Sequence, residues 1–110
     1  MSLNWEPSAA TAGVSLPDLT LPDAHHLLLG RMRFHYLDWS QPAARSILFL
    51  HGSRLTAHTF DLVCLALSER FHCISVDARG HGDTDWAPDG TYTHQARVSD
   101  VEGLVEQLGL

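Results

Sequence analysis

The chain has 110 residues, enough for one small domain, and its 45% hydrophobic and 18% charged residues give a globular rather than a disordered balance. The formal net charge is −6, with seven arginines and no lysine, which argues against nucleic acid or an anionic membrane surface as a partner. No run reaches the length of a transmembrane helix, and Met1 to Pro7 has no basic segment leading into an apolar core, so neither a membrane span nor a signal peptide is expected. A cytoplasmic location follows by default.

Residues 1–23 hold Pro7, Pro17, Pro22 and Gly13 among many small residues and read as a flexible arm. The domain is expected over residues 24–110. His25 to Leu29 is a short strand, and Gly30-Arg31 offers a tight turn. In Met32 to Leu37, apolar Met32, Phe34 and Tyr36 alternate with Arg33 and His35, so the two segments predict an antiparallel hairpin. Ser46 to Leu50 is a continuous apolar run between turn-formers, the pattern of a parallel strand buried on both faces. A helix is predicted from Ala57 to Glu69 with Thr56 as N-cap and an apolar stripe of Phe60, Val63, Cys64 and Leu67. Phe71 to Val76 is the next strand. A loop from Asp77 to Tyr92 leads to a last helix, His94 to Leu108, capped by Thr93 and striped by Val101, Leu104, Val105 and Leu108. Strands alternating with helices imply an α/β fold: a mostly parallel sheet with an antiparallel N-terminal hairpin, about four strands and two helices.

Cys64 and Cys73 lie in apolar runs and form no C-x-x-C pair, so buried free thiols are expected. Asp83, Asp85 and Asp89-Gly90 hint at a calcium loop, but Ala87 stands where an oxygen ligand belongs. Eight histidines show no H-E-x-x-H or H-x-H grouping, so spacing predicts no metal site, and no cofactor motif occurs. Two loops carry the chemistry instead. His51-Gly52-Ser53-Arg54 follows the apolar strand, at the end where α/β sheets bind ligands, and its backbone N–H groups are free to stabilise an oxyanion. Asp77-Ala78-Arg79-Gly80-His81-Gly82-Asp83-Thr84 follows the next strand. Gly80 and Gly82 permit a compact turn, while Asp77 and Arg79 are placed to pair or to satisfy loop backbone groups. His81 as a general base has no orienting partner near it in sequence.

Taken together, "SILFLHGS", a helix, and "FHCISVDARGHGDT" resemble the front of the α/β-hydrolase family, where H-G-x follows the third strand and D-x-R-G-x-G-x-S the fourth. "GRMRFHYLDW" is similar to that family's opening hairpin. The resemblance covers about Ala24 to Leu110, and Thr84 stands where the family usually has serine. It implies that the backbone of Ser53, with its neighbour Arg54, forms half of an oxyanion hole. It also implies that His51, Gly52, Asp77, Arg79, Gly80, His81 and Gly82 are motif or structural positions. The family's acyl-transfer chemistry needs a G-x-S-x-G elbow, then an acid and a histidine, and no G-x-S-x-G occurs here. The expectation is therefore an N-terminal portion of a serine-type hydrolase, inactive alone. Completed, it would act on a small-molecule carbonyl substrate by ester, lactone or C–C hydrolysis. The alternative is a non-catalytic module that pairs through the exposed edge of Ile47 to Leu50, with a second chain or with itself.

Overall fold

The computed structural model describes residues 21–110. Nearly all of the expected arm, residues 1–23, lies outside that range. The four strands are β1 (Asp23–Leu29), β2 (Met32–Asp38), β3 (Arg45–Leu50) and β4 (Phe71–Val76). A 3-10 turn (Ala57–Phe60) leads into α1 (Asp61–Leu67), and α2 spans His94–Leu108. One mixed sheet holds the strands in the order β1-β2-β4-β3. The hairpin pairs β1 with β2 in antiparallel register, His26 opposite His35. Strand β2 is also antiparallel to β4, so the mostly parallel sheet expected is realised as a mixed one, with parallel pairing confined to β3 and β4. Parallel pairing needs a crossover, and the described chain makes one between neighbouring strands, through α1.

Period-two alternation sends successive side chains to opposite faces of the sheet. Leu37, Cys73 and Phe49 face α1, where Trp39, Ala57, Cys64 and Leu65 complete one core. Phe34, Ile74, Val76 and Leu48 face the other way, toward Leu104 of α2. Trp39 and Phe34 are essentially inaccessible to solvent. Both cysteines are free and buried, and burial pushes the Cys64 thiol far above its ordinary range.

Three expectations are corrected. Strand β3 was expected to be buried on both faces. It lies at the sheet edge of the described residues with Leu50 52% exposed, because β4 is its one partner. The first helix begins as a 3-10 turn rather than an α-helix, capped by Thr56, whose hydroxyl accepts the His58 N–H. Its buried stripe is Ala57, Asp61, Cys64 and Leu65, while Val63 is exposed: the tight first turn rotates the apolar face by about one residue. Helix α2 begins and ends where predicted, with Thr93 Oγ1 accepting the Ala96 N–H at 3.1 Å and Gly109 in a left-handed C-cap. Of its stripe only Leu104 is fully buried, because an open cavity separates part of the helix from the sheet.

Candidate functional site

The two sequence motifs leave the carboxyl ends of adjacent parallel strands, since Leu50 of β3 is paired with Val76 of β4. That register brings His51 beside Ala78. His51 Nδ1 lies 2.7 Å from the Gly52 carbonyl oxygen, which can only accept, so the ring proton sits on Nδ1. His51 Nε2 then accepts the Ala78 N–H at 2.9 Å. His81 is oriented in the same way. Its Nδ1–H donates to the Arg79 carbonyl at 2.9 Å, and its Nε2 accepts the Arg54 N–H at 3.3 Å. The two rings stand 5.0 Å apart, so a pair of histidines stitches one loop to the other. Both Nε2 atoms are engaged by backbone donors, which makes these rings scaffold. The orienting partner of His81 is a main-chain carbonyl, which residue types could not reveal.

Within the first loop, the residue in left-handed conformation is Arg54 (φ 65°), not Gly52. The turn is closed by Leu55 N–H on the Gly52 carbonyl at 3.3 Å, and a β-carbon at Gly52 would meet nothing nearer than Leu55 at 3.8 Å. Arg54 donates its N–H to His81, whereas the Ser53 N–H has no partner among the described residues. Of the two backbone donors assigned to an oxyanion hole, the one left available is that of Ser53.

The second loop is built around Asp77, which is 2% exposed. Its Oδ1 accepts the Ala57 N–H at 2.7 Å. Its Oδ2 accepts His35 Nδ1–H at 2.7 Å and the Asp83 N–H at 2.9 Å. Burial alone pushes this carboxyl up, but the hydrogen bonds from His35, Ala57 and Asp83 outweigh it and hold it below the ordinary carboxylate range. Asp77 thus satisfies loop backbone, as the sequence allows, but does not pair with Arg79. Arg79 forms a two-pronged ion pair with Asp100 of α2, both contacts at 2.7 Å, and donates to the Thr91 carbonyl at 2.7 Å. Gly82 sits at φ 51°, where a β-carbon would collide with the Asp77 carboxylate; Gly80, at φ 75°, lies against the Tyr92 ring. The Thr84 hydroxyl donates to the Asp77 carbonyl at 2.7 Å and accepts the His35 N–H at 2.9 Å, so the hydroxyl expected at this position is used. Sequence reasoning missed His35, Asp100 and Tyr92. His35 and Asp77 are 42 positions apart, and only the β2–β4 pairing brings them together.

Beside the joined loops lies a cavity of about 340 Å³ between the sheet and α2. Its floor is apolar, with Phe34, Leu50, Val76 and Leu104, and His51, Gly52 and His81 stand in its wall. A concave apolar space with a few polar groups in its wall is the usual form of a small-molecule site.

Comparison with known proteins agrees with this architecture. Residues 47–110 match the model of the alpha/beta hydrolase family. The chain is 34% identical over 101 residues to the esterase Rv0045c of Mycobacterium tuberculosis, covering 92% of this chain and 31% of that protein. It is 36% identical over 106 residues to the sn-1-specific diacylglycerol lipase ABHD11 of Mus musculus, covering 94% of this chain and 31% of the relative. The crystal structure of a bacterial membrane phospholipase A superimposes with a TM-score of 0.78 at 20% identity, over 96% of this chain and 34% of that one, and shows the shared fold. This chain belongs to the alpha/beta hydrolase family. It spans about a third of the length of the curated relatives it matches.

Proposed function

We propose that the chain supplies the oxyanion-stabilising loop of a serine-type α/β hydrolase acting on esters or related carbonyl compounds, lactones and C–C bonds next to a carbonyl included. The observation that carries this reading is the Ser53 N–H. Among the described residues it is unengaged, and it follows directly on His51 and Gly52 of the cavity wall, on a loop fixed by the His51–His81 stitch. Such a donor stabilises negative charge developing on a carbonyl oxygen during acyl transfer. Relatives named as an esterase and a diacylglycerol lipase support the substrate class. The chain has no G-x-S-x-G, and Ser53 lies on a strand-to-turn segment without the elbow's second glycine, so by itself the chain does not turn over esters. No described helix is long and apolar enough to cross a membrane, and two free thiols accord with a reducing, cytoplasmic setting.

The test has two arms. The purified chain, incubated with an activated short-chain ester, gives no turnover above buffer; turnover abolished by Ser53→Ala refutes the reading. Residues 24–110 are then substituted for the matching third of the mycobacterial esterase. Ser53→Pro in that chimera removes the backbone N–H and lowers kcat by about 100- to 1,000-fold, the usual effect of losing one oxyanion donor. An unchanged kcat rules out the assigned role.

A second reading rests on the β3 edge. Among the described residues β3 pairs with β4 alone, and no lysine or proline interrupts Ile47 to Leu50. An open apolar edge is a template for pairing with another strand, including a second copy of this one. Sedimentation that gives a dimer, abolished by Leu50→Lys at the exposed end of β3, supports this reading, and a clean monomer excludes it.

A further inference from the structure

The loop after β3 is held weakly and under strain. Arg54 keeps a left-handed backbone (φ 65°), which costs free energy for a residue with a side chain. Among the described residues, two backbone N–H bonds hold that turn: Leu55 N–H on the Gly52 carbonyl and Arg54 N–H on His81 Nε2, both long at 3.3 Å. The loop after β4 is anchored from several sides. Asp77 accepts the Asp83 N–H, Gly80 N–H donates to the Asp85 carbonyl at 3.0 Å, and His81 N–H donates to the Ala78 carbonyl at 3.0 Å. When the two loops part, the first is therefore the one that moves.

What joins the loops is a pair of neutral imidazoles. His81 Nδ1–H donates to the Arg79 carbonyl, so its Nε2 offers Arg54 a lone pair, and His51 does the same for Ala78. A proton on Nε2 turns that acceptor into a donor, and donor then meets donor. Among the described residues neither ring is hydrogen-bonded to a carboxylate that would retain an imidazolium. Asp77 is engaged by His35, Ala57 and Asp83, and Asp100 by Arg79. The other charged or titratable groups at this cavity are His94, Arg97 and Glu102 of α2, with Arg54 and Asp83 next along the loops. Both rings are half-buried, so solvent protons reach them. They stand 5.0 Å apart, so charge on one disfavours charge on the other. The longer bond, 3.3 Å at His81 against 2.9 Å at His51, is the one that yields first.

We propose that His81 is an acid-released latch: its neutral ring holds Arg54, and uptake of a proton at Nε2 frees the loop that carries Ser53. The closed loop binds fewer protons than the open one, so acid favours the open loop. Histidine changes charge between about pH 5 and 8, and release falls in that range. Once freed, Arg54 leaves its strained conformation and the Ser53 N–H loses its fixed direction. The consequence for catalysis rests on the oxyanion role proposed for Ser53; the latch itself does not.

NMR titration of the isotope-labelled full chain from about pH 8 to about pH 5 tests this. At the upper end, long-range proton–nitrogen spectra are expected to show both rings protonated on Nδ1, with the Arg54 and Ala78 amide protons shifted downfield by their bonds to ring nitrogen. As pH falls, the Arg54 amide proton moves to the position of an unbonded amide with the same midpoint as the His81 ring. Its protection from solvent exchange drops at least about tenfold, while the Ala57 amide, held by Asp77, keeps its own. In His81→Gln a neutral carbonyl replaces Nε2 as acceptor, so the Arg54 and Ser53 amides no longer respond to pH across the range. The latch is overturned if His81 titrates with the Arg54 amide unmoved, if its ring carries the proton on Nε2 at high pH, or if Arg54 responds equally in His81→Gln. A loss of protection shared by Ala57 is unfolding and overturns it as well. Should His81→Gln fail to fold, the titration of the parent chain decides alone. None of these outcomes touches the Ser53→Pro result, so a failed latch and a failed oxyanion role are told apart.

Discussion

Replacing Asp77 with asparagine changes few atoms and removes one charge, yet it is expected to destabilise the domain substantially. The carboxylate faces three donors, His35 Nδ1–H, the Ala57 N–H and the Asp83 N–H, and is itself 2% exposed. An asparagine has one oxygen to offer. Turned toward His35 and Asp83, its NH₂ meets the Ala57 N–H; turned toward Ala57, it meets the other two. Either way a charge-assisted bond is lost, about 1.5–3 kcal/mol, and a buried donor is left unmatched, about 1–3 kcal/mol. The expected cost at pH 7 is about 3–5 kcal/mol, a large share of the total stability of a small domain. The cost also depends on pH in a defined direction. Hydrogen bonding holds the Asp77 carboxyl below its ordinary value in the folded state. Its stabilisation is therefore complete above the unfolded carboxyl pKa, about 3.9, and is lost as pH falls through the lower folded value. A protonated Asp77 brings a donor of its own into a ring of donors, much as asparagine does. Urea unfolding at pH 7 and at successively lower pH should thus show the two proteins converging below pH about 4. A difference below about 1 kcal/mol at pH 7, or one that does not shrink with acidity, would refute the account of Asp77 as the hub of this loop.

Other substitutions probe the same loops. Gly82→Ala combines a positive φ with a collision against the Asp77 carboxylate, whereas Gly90→Ala has φ 71° but open space around it. Gly90→Ala should cost about 1 kcal/mol and Gly82→Ala clearly more, measured by thermal unfolding of both. Arg79→Lys keeps the charge but loses the two-pronged contact with Asp100 and the bond to Thr91; it should cost about 1–2 kcal/mol, and a double-mutant cycle with Asp100→Ala should show coupling. Thr84→Ser retains the hydroxyl that bridges Asp77 and His35 and should cost under about 1 kcal/mol. Thr84→Val deletes it in a buried setting and should cost about 1–3 kcal/mol by denaturant unfolding.

Local signals in the sequence determined most of the secondary structure. The apolar run Phe71 to Val76 and the capped segment His94 to Leu108 are a strand and a helix with those bounds, because a strand of buried residues and a threonine-capped helix are both specified by near neighbours. The two chemistry-bearing loops were legible for the same reason, since glycine at positive φ and a turn after a buried strand are local requirements. Tertiary structure decided what depends on register and on neighbours far along the chain. Strand β3 reads as buried on both faces by composition, but Leu50 is 52% exposed because β4 alone flanks the strand among the described residues. Val63, placed in the apolar stripe by its spacing, is exposed and Leu65 is buried instead, because a 3-10 turn shifts the helix face by about one residue. The carboxylate of Asp77 found His35 rather than Arg79 only through the pairing of β2 with β4. A strand register is set by the whole buried face at once, and a slip of one residue would turn His35 away from Asp77. The partners that fix the protonation of each histidine are thus written in the fold and not in any stretch of the sequence.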